Sequence, residues 1–219
     1  MMRLSRCNGT PNVGVYASVN ESLSLVAANS APGFVEDIET VLGVETILTT
    51  LSGAFVLGSL IRMNSNGAVV SGMVETSELD RIRSRIRVTV LPDKINAAGN
   101  NILANDNGAI INPNLSSAAE KRIAEALGVE TVRSAIAGYD TVGSACAASN
   151  RGCVCSVNAT EEDLTLIRDV LKVEAKKGSV NHGSKHVGAG ILCNSKGAVV
   201  GDETTPIEMG KIEDGLVLY

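Results

Sequence analysis

Two spacings of hydrophobic residues alternate along the chain and predict two kinds of element. In the middle of the sequence, the apolar runs 102–104 and 109–111 flank an Asn-x-x-Gly segment, which is typical of a hairpin turn. Apolar residues within 123–127 then follow the three- and four-residue spacing of an amphipathic helix. A further apolar stretch, residues 129–137, indicates another strand. This region therefore predicts the order strand, turn, strand, helix, strand.

Helix boundaries are marked by residues that cap free backbone groups. Gly43 and Gly128 are predicted to end helices, because glycine readily adopts left-handed backbone angles. The run 116–120 contains a Ser-x-x-Glu capping box, and Pro206 suits the first position of a helix. The other predicted N-terminal caps are Ser77, Thr160 and Thr205, and in the Ser-x-x-Glu box the serine is Ser117.

The same pattern is repeated along the whole chain. The pentapeptide Leu-Gly-Val-Glu-Thr occurs at 42–46 and again at 127–131, and the segments 64–70 and 194–200 share Asn-Ser-x-Gly-Ala-Val-Val. A small or apolar residue followed by glycine recurs every 41 to 45 residues and places both pairs in one register. These glycines are Gly14, Gly58, Gly99, Gly143 and Gly188.

Five repeats of about 44 residues are therefore predicted. A unit of this size is too small to bury a core alone. We predict a single domain of the α/β class, 1–219, in which five strand-turn-strand-helix-strand repeats close into a pseudo-symmetric five-fold α/β propeller. An open solenoid is the alternative, but it needs atypical capping repeats at its ends. The approximate repeats are 1–50, 51–92, 93–136, 137–180 and 181–219.

Composition narrows the classes of function. The hydrophobic content of 44% supports a full core, whereas aromatic residues make up only 2%. A net charge of −5 with so few aromatic rings argues against a broad nucleic-acid surface, so we expect no DNA binding. No signal peptide or membrane span is evident, so we expect a cytoplasmic protein. The basic run Arg81, Arg83, Arg85 and Arg87 is interpreted as a solvated helix face.

Metal-binding patterns are weak. The five cysteines are expected to be reduced thiols, and the closely spaced Cys153 and Cys155 lack the second pair that a zinc site needs. His182 and His186 have the spacing of a helical metal-binding pair, but the residues between them disfavour a helix. No metal or cofactor is therefore predicted.

An enzyme remains an alternative. Five-fold α/β rings of this kind resemble the pentein group, which includes guanidine-modifying hydrolases with a Cys nucleophile, a His and acidic residues. Here Cys193 could act with His182 or His186 and with Asp106 or Asp202. Cys193 can equally be a buried strand residue. The short turns leave little sequence for a substrate pocket, which favours a protein without catalytic activity.

Several ordered motifs resemble those of one family. The segments 96–100 (Asn-Ala-Ala-Gly-Asn) and 105–106 (Asn-Asp) are similar to the signature of the translation initiation factor 6 family. The segments 142–144, 180–184 and 201–205 match the same family in the same order. The resemblance covers the whole chain, and its length is similar to that of the archaeal members.

The resemblance implies a non-catalytic, five-bladed protein that binds the large (50S) ribosomal subunit on its intersubunit side. The small (30S) subunit then could not dock. The resemblance also implies a role in maturation of the large subunit. We expect a monomer. Because the chain is acidic, it should dock mainly on basic ribosomal proteins, with at most a limited contact to rRNA.

A polar contact face is predicted at the junctions and turns that differ between repeats. Equivalent positions in successive repeats lie on the same face of a ring, so we expect these side chains to share one surface. Their alternative role is structural, because Asn and Asp side chains often bond the backbone of their own turn. The candidates are Asn96, Asn100, Asn105, Asp106, Asn181 and Ser184.

Overall fold

The computed structural model describes all residues from Met1 to Tyr219. The elements of the first 90 residues are β1 (Met2–Ser5), α1 (Val13–Tyr16), β2 (Ala17–Val19), β3 (Leu23–Ala27), α2 (Pro32–Leu42), β4 (Glu45–Thr49), α3 (Leu57–Leu60), β5 (Ile61–Met63), β6 (Ala68–Val70), α4 (Thr76–Arg83) and β7 (Val88–Val90).

The elements after residue 90 are α5 (Ala98–Asn101), β8 (Ile102–Ala104), β9 (Gly108–Ile111), α6 (Ser117–Leu127), β10 (Glu130–Arg133), α7 (Val142–Ala145), β11 (Cys146–Ala148), β12 (Gly152–Ser156), α8 (Glu161–Leu171), β13 (Glu174–Gly178), α9 (Val187–Gly190), β14 (Ile191–Asn194), β15 (Gly197–Gly201) and α10 (Pro206–Leu216). The longest helices have eleven residues, and none of the ten could span a membrane.

The strands form five separate three-stranded sheets. In each sheet a hairpin supplies two antiparallel strands, and a third strand runs parallel to the second. Four sheets take the third strand from the segment after their own long helix. The fifth sheet takes it from the N-terminus, because β1 pairs with β15 and Met2 lies opposite Ala198. The first residues of the chain therefore complete the last repeat.

The five four-residue helices α1, α3, α5, α7 and α9 pack against one another around a central axis. Their backbones approach so closely that a Cβ on the glycine of one helix would collide with the carbonyl oxygen of the glycine in the preceding helix. The cycle passes through all five positions and returns to its start, since Gly14 faces the carbonyl oxygen of Gly188. This close approach explains why the marker of each repeat is glycine.

The hydrophobic core consists of five clusters, and each cluster extends across a boundary between two repeats. One cluster joins Leu103 of the third repeat to Ile167 and Leu171 of the fourth. Another joins Leu192 of the fifth repeat to Val26 of the first. Every one of the five clusters contains 10 to 13 buried residues from two neighbouring repeats. Each repeat therefore depends on its neighbours to bury its apolar surface.

Most of the predicted helix caps are confirmed. In α6 the cap is Ser116, one residue before the serine of the predicted box, and its Oγ accepts a hydrogen bond from the N–H of Ala119. Thr160 and Thr205 each form a reciprocal capping box with the acidic residue three positions later. The predicted helix ends also occur, because Gly43 has a φ of 58° and Gly128 a φ of 63°.

Two predicted details of the caps are wrong. The helix α4 is capped by Glu75 rather than Ser77, because Glu75 forms a capping box with Glu78. Glu120 does not complete a capping box in α6 and instead forms an ion pair with Arg133 at 3.0 Å. In α4 an acidic side chain replaces the predicted serine as the cap. In α6 the acidic side chain pairs with an arginine instead of completing the box.

The glycine of the Asn-x-x-Gly turn is required by close packing rather than by a left-handed backbone. The turns form as expected, and in the second repeat the N–H of Asn64 donates to the carbonyl oxygen of Gly67 at 3.0 Å. The backbone at Gly67 is not left-handed, however; a Cβ there would collide with the carbonyl oxygen of Ala126 in the neighbouring helix α6. Leu23 replaces this glycine in the first repeat. Its neighbour α4 has eight residues instead of eleven, which leaves space for a side chain.

The hairpin strands separate two ends of the molecule. The turn end contains the five hairpins and the C-terminal ends of the longer helices. The helix end contains the five short helices, the loops before them and the loops that begin the longer helices. The first strand of each hairpin has only three or four residues, so the two ends are about 10–13 Å apart.

Candidate interaction surface

Asn105 is a structural residue of the turn end, and only 5% of it is exposed. Its Oδ1 accepts hydrogen bonds from the N–H groups of Asn107 and Gly108, at 2.9 and 3.2 Å. Its Nδ2 donates to the carbonyl oxygens of Ser149 and Leu171, at 3.1 and 2.9 Å. Both donors and both acceptor positions of the amide are therefore occupied within the protein.

The same arrangement recurs in other repeats. Asn64 donates to the carbonyl oxygens of Asn105 and Leu127, and Asn194 makes the corresponding pair of bonds into the first repeat. In each case the leucine acceptor is the last residue of a helix, so the amide satisfies a carbonyl that the helix leaves free. Ser149 holds this position in the fourth repeat, where its hydroxyl accepts bonds from its own turn. Where the first residue of the turn is asparagine, its side chain therefore joins neighbouring repeats.

Asp106 is also bonded within the turn end. Its carboxylate accepts from the N–H and the hydroxyl of Ser65 and from the Nδ2 of Asn150, each at 2.7 Å. The same Nδ2 lies 3.3 Å from the carboxylate of Glu21, which in turn accepts from Ser195. The second position of each hairpin thus belongs to a network that links the five turns.

At the helix end, acidic side chains hold the loops. Glu208, in the first turn of α10, accepts from the N–H groups of Gly183 and Thr205, both at 2.8 Å, and from the hydroxyl of Ser179 at 2.7 Å. Burial raises the pKa of Glu208, but the hydrogen bonds outweigh burial and lower the pKa from 4.5 to about 2. The loop before α9 is therefore held by an ionised carboxylate.

Glu78 and Asp163 have corresponding roles in the second and fourth repeats. Glu78 accepts from the N–H of Ser52 and the hydroxyl of Thr50, and Asp163 accepts from the N–H of Ala137. Burial raises the pKa of Glu78, but its hydrogen bonds, beginning with that from Thr50, produce a net decrease. Three loops of the helix end are therefore fixed to the longer helix of the same repeat.

Asn181 and Ser184 lie in the loop that Glu208 holds. Asn181 has a left-handed φ of 51°, its Nδ2 donates to the carbonyl oxygen of Pro11, and its Oδ1 accepts from the hydroxyl of Thr204. Asn181 thereby joins the fifth repeat to the first. The side chain of Ser184 is partly exposed and makes no hydrogen bond within the protein.

Asn96 and Asn100 flank the start of α5. The other four repeats close the preceding loop with a short antiparallel bridge, but the third repeat does not. Both asparagines are partly exposed, and neither side chain is hydrogen-bonded within the protein. Their amide groups can therefore bond a partner.

The structure thus divides the six predicted site residues between the two ends. Asn105 and Asp106 lie at the turn end, where their polar groups are occupied. The four residues at the helix end are Asn96, Asn100, Asn181 and Ser184.

The helix end also exposes large apolar side chains, a feature that the sequence did not reveal. Three of them lie in loops and one lies in the first turn of α10, so no periodicity signalled their exposure. At the turn end, by contrast, the large exposed apolar residues are the chain termini Met1 and Tyr219. The exposed fractions at the helix end are 41% for Phe55, 73% for Met73, 40% for Val157 and 77% for Ile207.

The residues of the enzyme alternative do not form a hydrogen-bonded set. Cys193 is 8% exposed, and burial raises the pKa of its thiol to about 12. His182 and His186 lie in an exposed loop rather than a helix, as predicted, and neither bonds to Cys193. Asp202 pairs with Arg6. Cys193 therefore has the character of an inert core thiol.

The cysteines lie in the core, and the arginine run lies on the outer surface. All five cysteines are buried free thiols, and Cys153 and Cys155 face the same hydrophobic cluster. No three His, Cys, Asp or Glu side chains are grouped so that they could hold a metal ion. The arginines of the basic run are exposed, and Arg85, for example, pairs with Glu45 at 2.7 Å.

Comparison with known proteins identifies a family for this chain. The model of the eIF-6 family matches residues 2–215. Translation initiation factor 6 from Methanocorpusculum labreanum is 40% identical over 210 residues, which cover 94% of this chain and 95% of that protein. Translation initiation factor 6 from Thermoplasma acidophilum is 40% identical over 204 residues, covering 93% and 94%. The corresponding protein from Haloquadratum walsbyi is 40% identical over 210 residues, covering 95% and 93%. Because these matches extend over nearly the whole of both chains, the protein described here belongs to the eIF-6 family.

Proposed function

We propose that this protein is a translation initiation factor that binds the large (50S) ribosomal subunit and sterically prevents the small (30S) subunit from associating with it. Membership of the eIF-6 family and the names of the relatives support a role in translation initiation. The partner is then ribosomal and the compartment is the cytoplasm. A role in large-subunit maturation belongs to the same proposal, because a factor on the intersubunit surface can bind before the subunit enters translation.

The helix end is the docking face in this proposal. The main support for this choice is that the helix end has two kinds of available side chain. Asn96 and Asn100 are unpaired polar residues, and Phe55 and Met73 are exposed apolar residues. Stable interfaces combine apolar anchors with polar groups that find partners on the other molecule. Asn105 and Asp106 contribute indirectly, by holding the repeats together.

We further infer that the five repeats form a closed five-bladed ring and a single domain with the boundaries predicted above. The pairing of β1 with β15 and the cycle of glycine contacts support closure. A rigid ring suits steric occlusion, because the factor needs only to occupy the surface that the small subunit would use. This mechanism requires no catalytic centre, cofactor or metal.

The expected partner surface is basic. With a net charge of −5, the protein is attracted to basic ribosomal proteins, and complementary charge mainly accelerates association. A monomer that buries a standard interface of about 1,600 Å² in total would bind stably enough to block association of the two subunits.

Co-sedimentation tests the proposal. The purified protein is mixed with separated 50S and 30S subunits under ionic conditions that favour their association, and the mixture is resolved on a sucrose gradient. We expect the protein to migrate with 50S particles and to reduce the fraction of joined ribosomes. Protein that stays at the top of the gradient, with unchanged subunit joining, would contradict the proposed function.

A further inference from the structure

Arg62 brings an unpaired positive charge to the central axis. Its Nη2 donates to the carbonyl oxygens of Gly99 and Gly143, at 2.8 and 3.4 Å. Its Nε is buried and has no hydrogen-bond partner. None of the nine ion pairs of the protein includes Arg62. The guanidinium is therefore held by carbonyl dipoles but has no counter-charge within the protein.

A cavity of about 40 Å³ lies on the axis beside Arg62. Its wall includes Ser18, Cys146 and Cys193 but no Asp or Glu side chain. Ser18 is only 5% exposed, and its hydroxyl makes no hydrogen bond within the protein. The cavity therefore presents several hydrogen-bond donors and no carboxylate.

The thiols do not neutralise this charge. Burial raises the pKa of the Cys193 thiol to about 12, so it is protonated at neutral pH and can act only as a weak S–H donor. Burial lowers the pKa of Arg62, but a guanidinium is so basic that it remains charged. A buried charge without a partner is costly, which favours an occupant that brings the opposite charge.

Size and charge together define the occupant. The cavity exceeds the roughly 10–15 Å³ that a water molecule needs. A water molecule could accept a bond from the guanidinium, but it would leave the charge uncompensated. A halide ion is only slightly larger than water, accepts bonds from several donors and carries one negative charge. A polyatomic dianion would bring excess charge into the cavity.

We propose that the axial cavity binds one small monovalent anion, such as chloride, between the guanidinium of Arg62 and the hydroxyl of Ser18. The anion neutralises the guanidinium at the point where all five repeats meet. Because the unfolded chain has no such cavity, binding stabilises the folded protein. This site is independent of the proposed ribosome-binding face.

Crystals soaked in sodium bromide test the site directly in the unaltered protein. Bromide replaces chloride and has a strong anomalous signal. We expect one anomalous peak in the axial cavity beside the guanidinium of Arg62. Cavity density without an anomalous peak would show that water is the occupant and would overturn the proposal.

Thermal unfolding tests the site in solution. Chloride is compared with gluconate, which is too large for the cavity, at equal ionic strength. We expect the unfolding temperature to rise with chloride, and Ser18→Ala to require about five-fold more chloride for the same shift because one hydrogen bond is lost. Equal effects of chloride and gluconate, or an unchanged response in Ser18→Ala, would contradict the assignment.

Arginine variants supply the matched control. Arg62→Met removes the charge at the axis and is expected to abolish the chloride response, whereas Arg85→Met removes an exposed arginine and is expected to keep it. If Arg62→Met fails to fold, the bromide experiment and the Ser18→Ala titration still decide the proposal. A folded Arg62→Met protein that retains the full chloride response would overturn it.

Discussion

The turn end and the helix end consist of the same five repeats but use their polar side chains differently. At the turn end, the amide of Asn105 and the carboxylate of Asp106 bond to neighbouring repeats. At the helix end, Asn96 and Asn100 have no internal partners, and Phe55 exposes apolar surface at the same end. The difference shows that position within the repeat, rather than residue type, decides whether an asparagine joins repeats or is available for binding.

Both ends depend on the central axis, so we expect the largest effect from Gly99→Ala. The new Cβ would collide with the carbonyl oxygens of Gly58 and Ile61, which are backbone atoms and cannot rotate away. We expect a loss of about 3 kcal/mol or more in the free energy of unfolding, measured with urea. The matched control is Gly210→Ala, a helical position with open space, which should gain about 0.5–1 kcal/mol. Similar stability of the two variants would contradict a close-packed axis.

The structural role of the turn end can be tested with Asn105→Leu. The substitution leaves the carbonyl oxygens of Ser149 and Leu171 without their donor, in a buried environment. We expect a loss of about 2–4 kcal/mol in the free energy of unfolding. The affinity of the remaining folded protein for large subunits should be unchanged, which co-sedimentation would check. Weakened binding by a fully stable variant would place the docking face at the turn end.

The rigidity of the helix end can be tested with Glu208→Gln. The pKa of Glu208 is depressed to about 2, so its ionised form stabilises the fold above the normal pKa of 4.5, and this contribution disappears as the pH falls towards 2. At pH 7 we expect the variant to lose about 1.5–3 kcal/mol, because bonds to a charged acceptor are lost.

Urea denaturation at several pH values checks this expectation for Glu208. Between pH 4.5 and 2 the variant should lose stability less steeply than the natural protein. Glu213→Gln, at an exposed position of the same helix, is the control and should follow the natural pH dependence. Parallel curves for all three proteins would show that Glu208 does not hold its loop as an ionised group.

The docking face can be located with Asn100→Glu. A longer, charged side chain at the helix end should weaken binding to large subunits at least ten-fold, about 1.4 kcal/mol, while the fold survives. The control is Asn107→Glu, which adds the same group to an exposed position of the turn end. Co-sedimentation over a range of protein concentrations gives both affinities. Equal affinities would separate Asn100 from the interface.

The smallest effect is expected from Arg85→Gln on the outer surface. Arg85 and Glu45 form an exposed ion pair, and such pairs contribute about 0.2–1 kcal/mol or less. Stability and subunit binding should both remain close to those of the natural protein. A clear loss of binding would instead make the basic run part of the docking surface.

The hairpins and the long helices could be predicted because their signals are local, whereas the five four-residue helices were not predicted. The caps at Thr160 and Thr205 and the glycines that end α2 and α6 act within a few residues of their own position. The spacing of the repeated glycines also fixed the number of repeats. The cap at Glu75 was missed because an acidic residue was a weaker local signal than the nearby Ser77.

The candidate site was less predictable because exposure depends on residues far apart in the chain. The acceptors of the Asn105 amide lie 44 and 66 residues away, so no local pattern could show that the side chain is buried. The unpaired charge of Arg62 likewise becomes evident only where several repeats meet at the axis. Ile207, at the start of α10, is a residue type that is usually found in the core, but its side chain is exposed.

The sequence by itself determined five repeats, a hairpin, a long helix and a third strand in most of them, and a resemblance to one family, but not the five four-residue helices. These properties follow from the periodicity of apolar residues and from short-range preferences of glycine, serine and threonine. Tertiary structure alone decided that β1 completes the fifth sheet, that Asn105 joins repeats, and that polar and apolar groups remain free at the helix end. The physical reason is that burial and hydrogen-bond satisfaction are set by contacts between repeats, which the order of residues along one repeat does not contain.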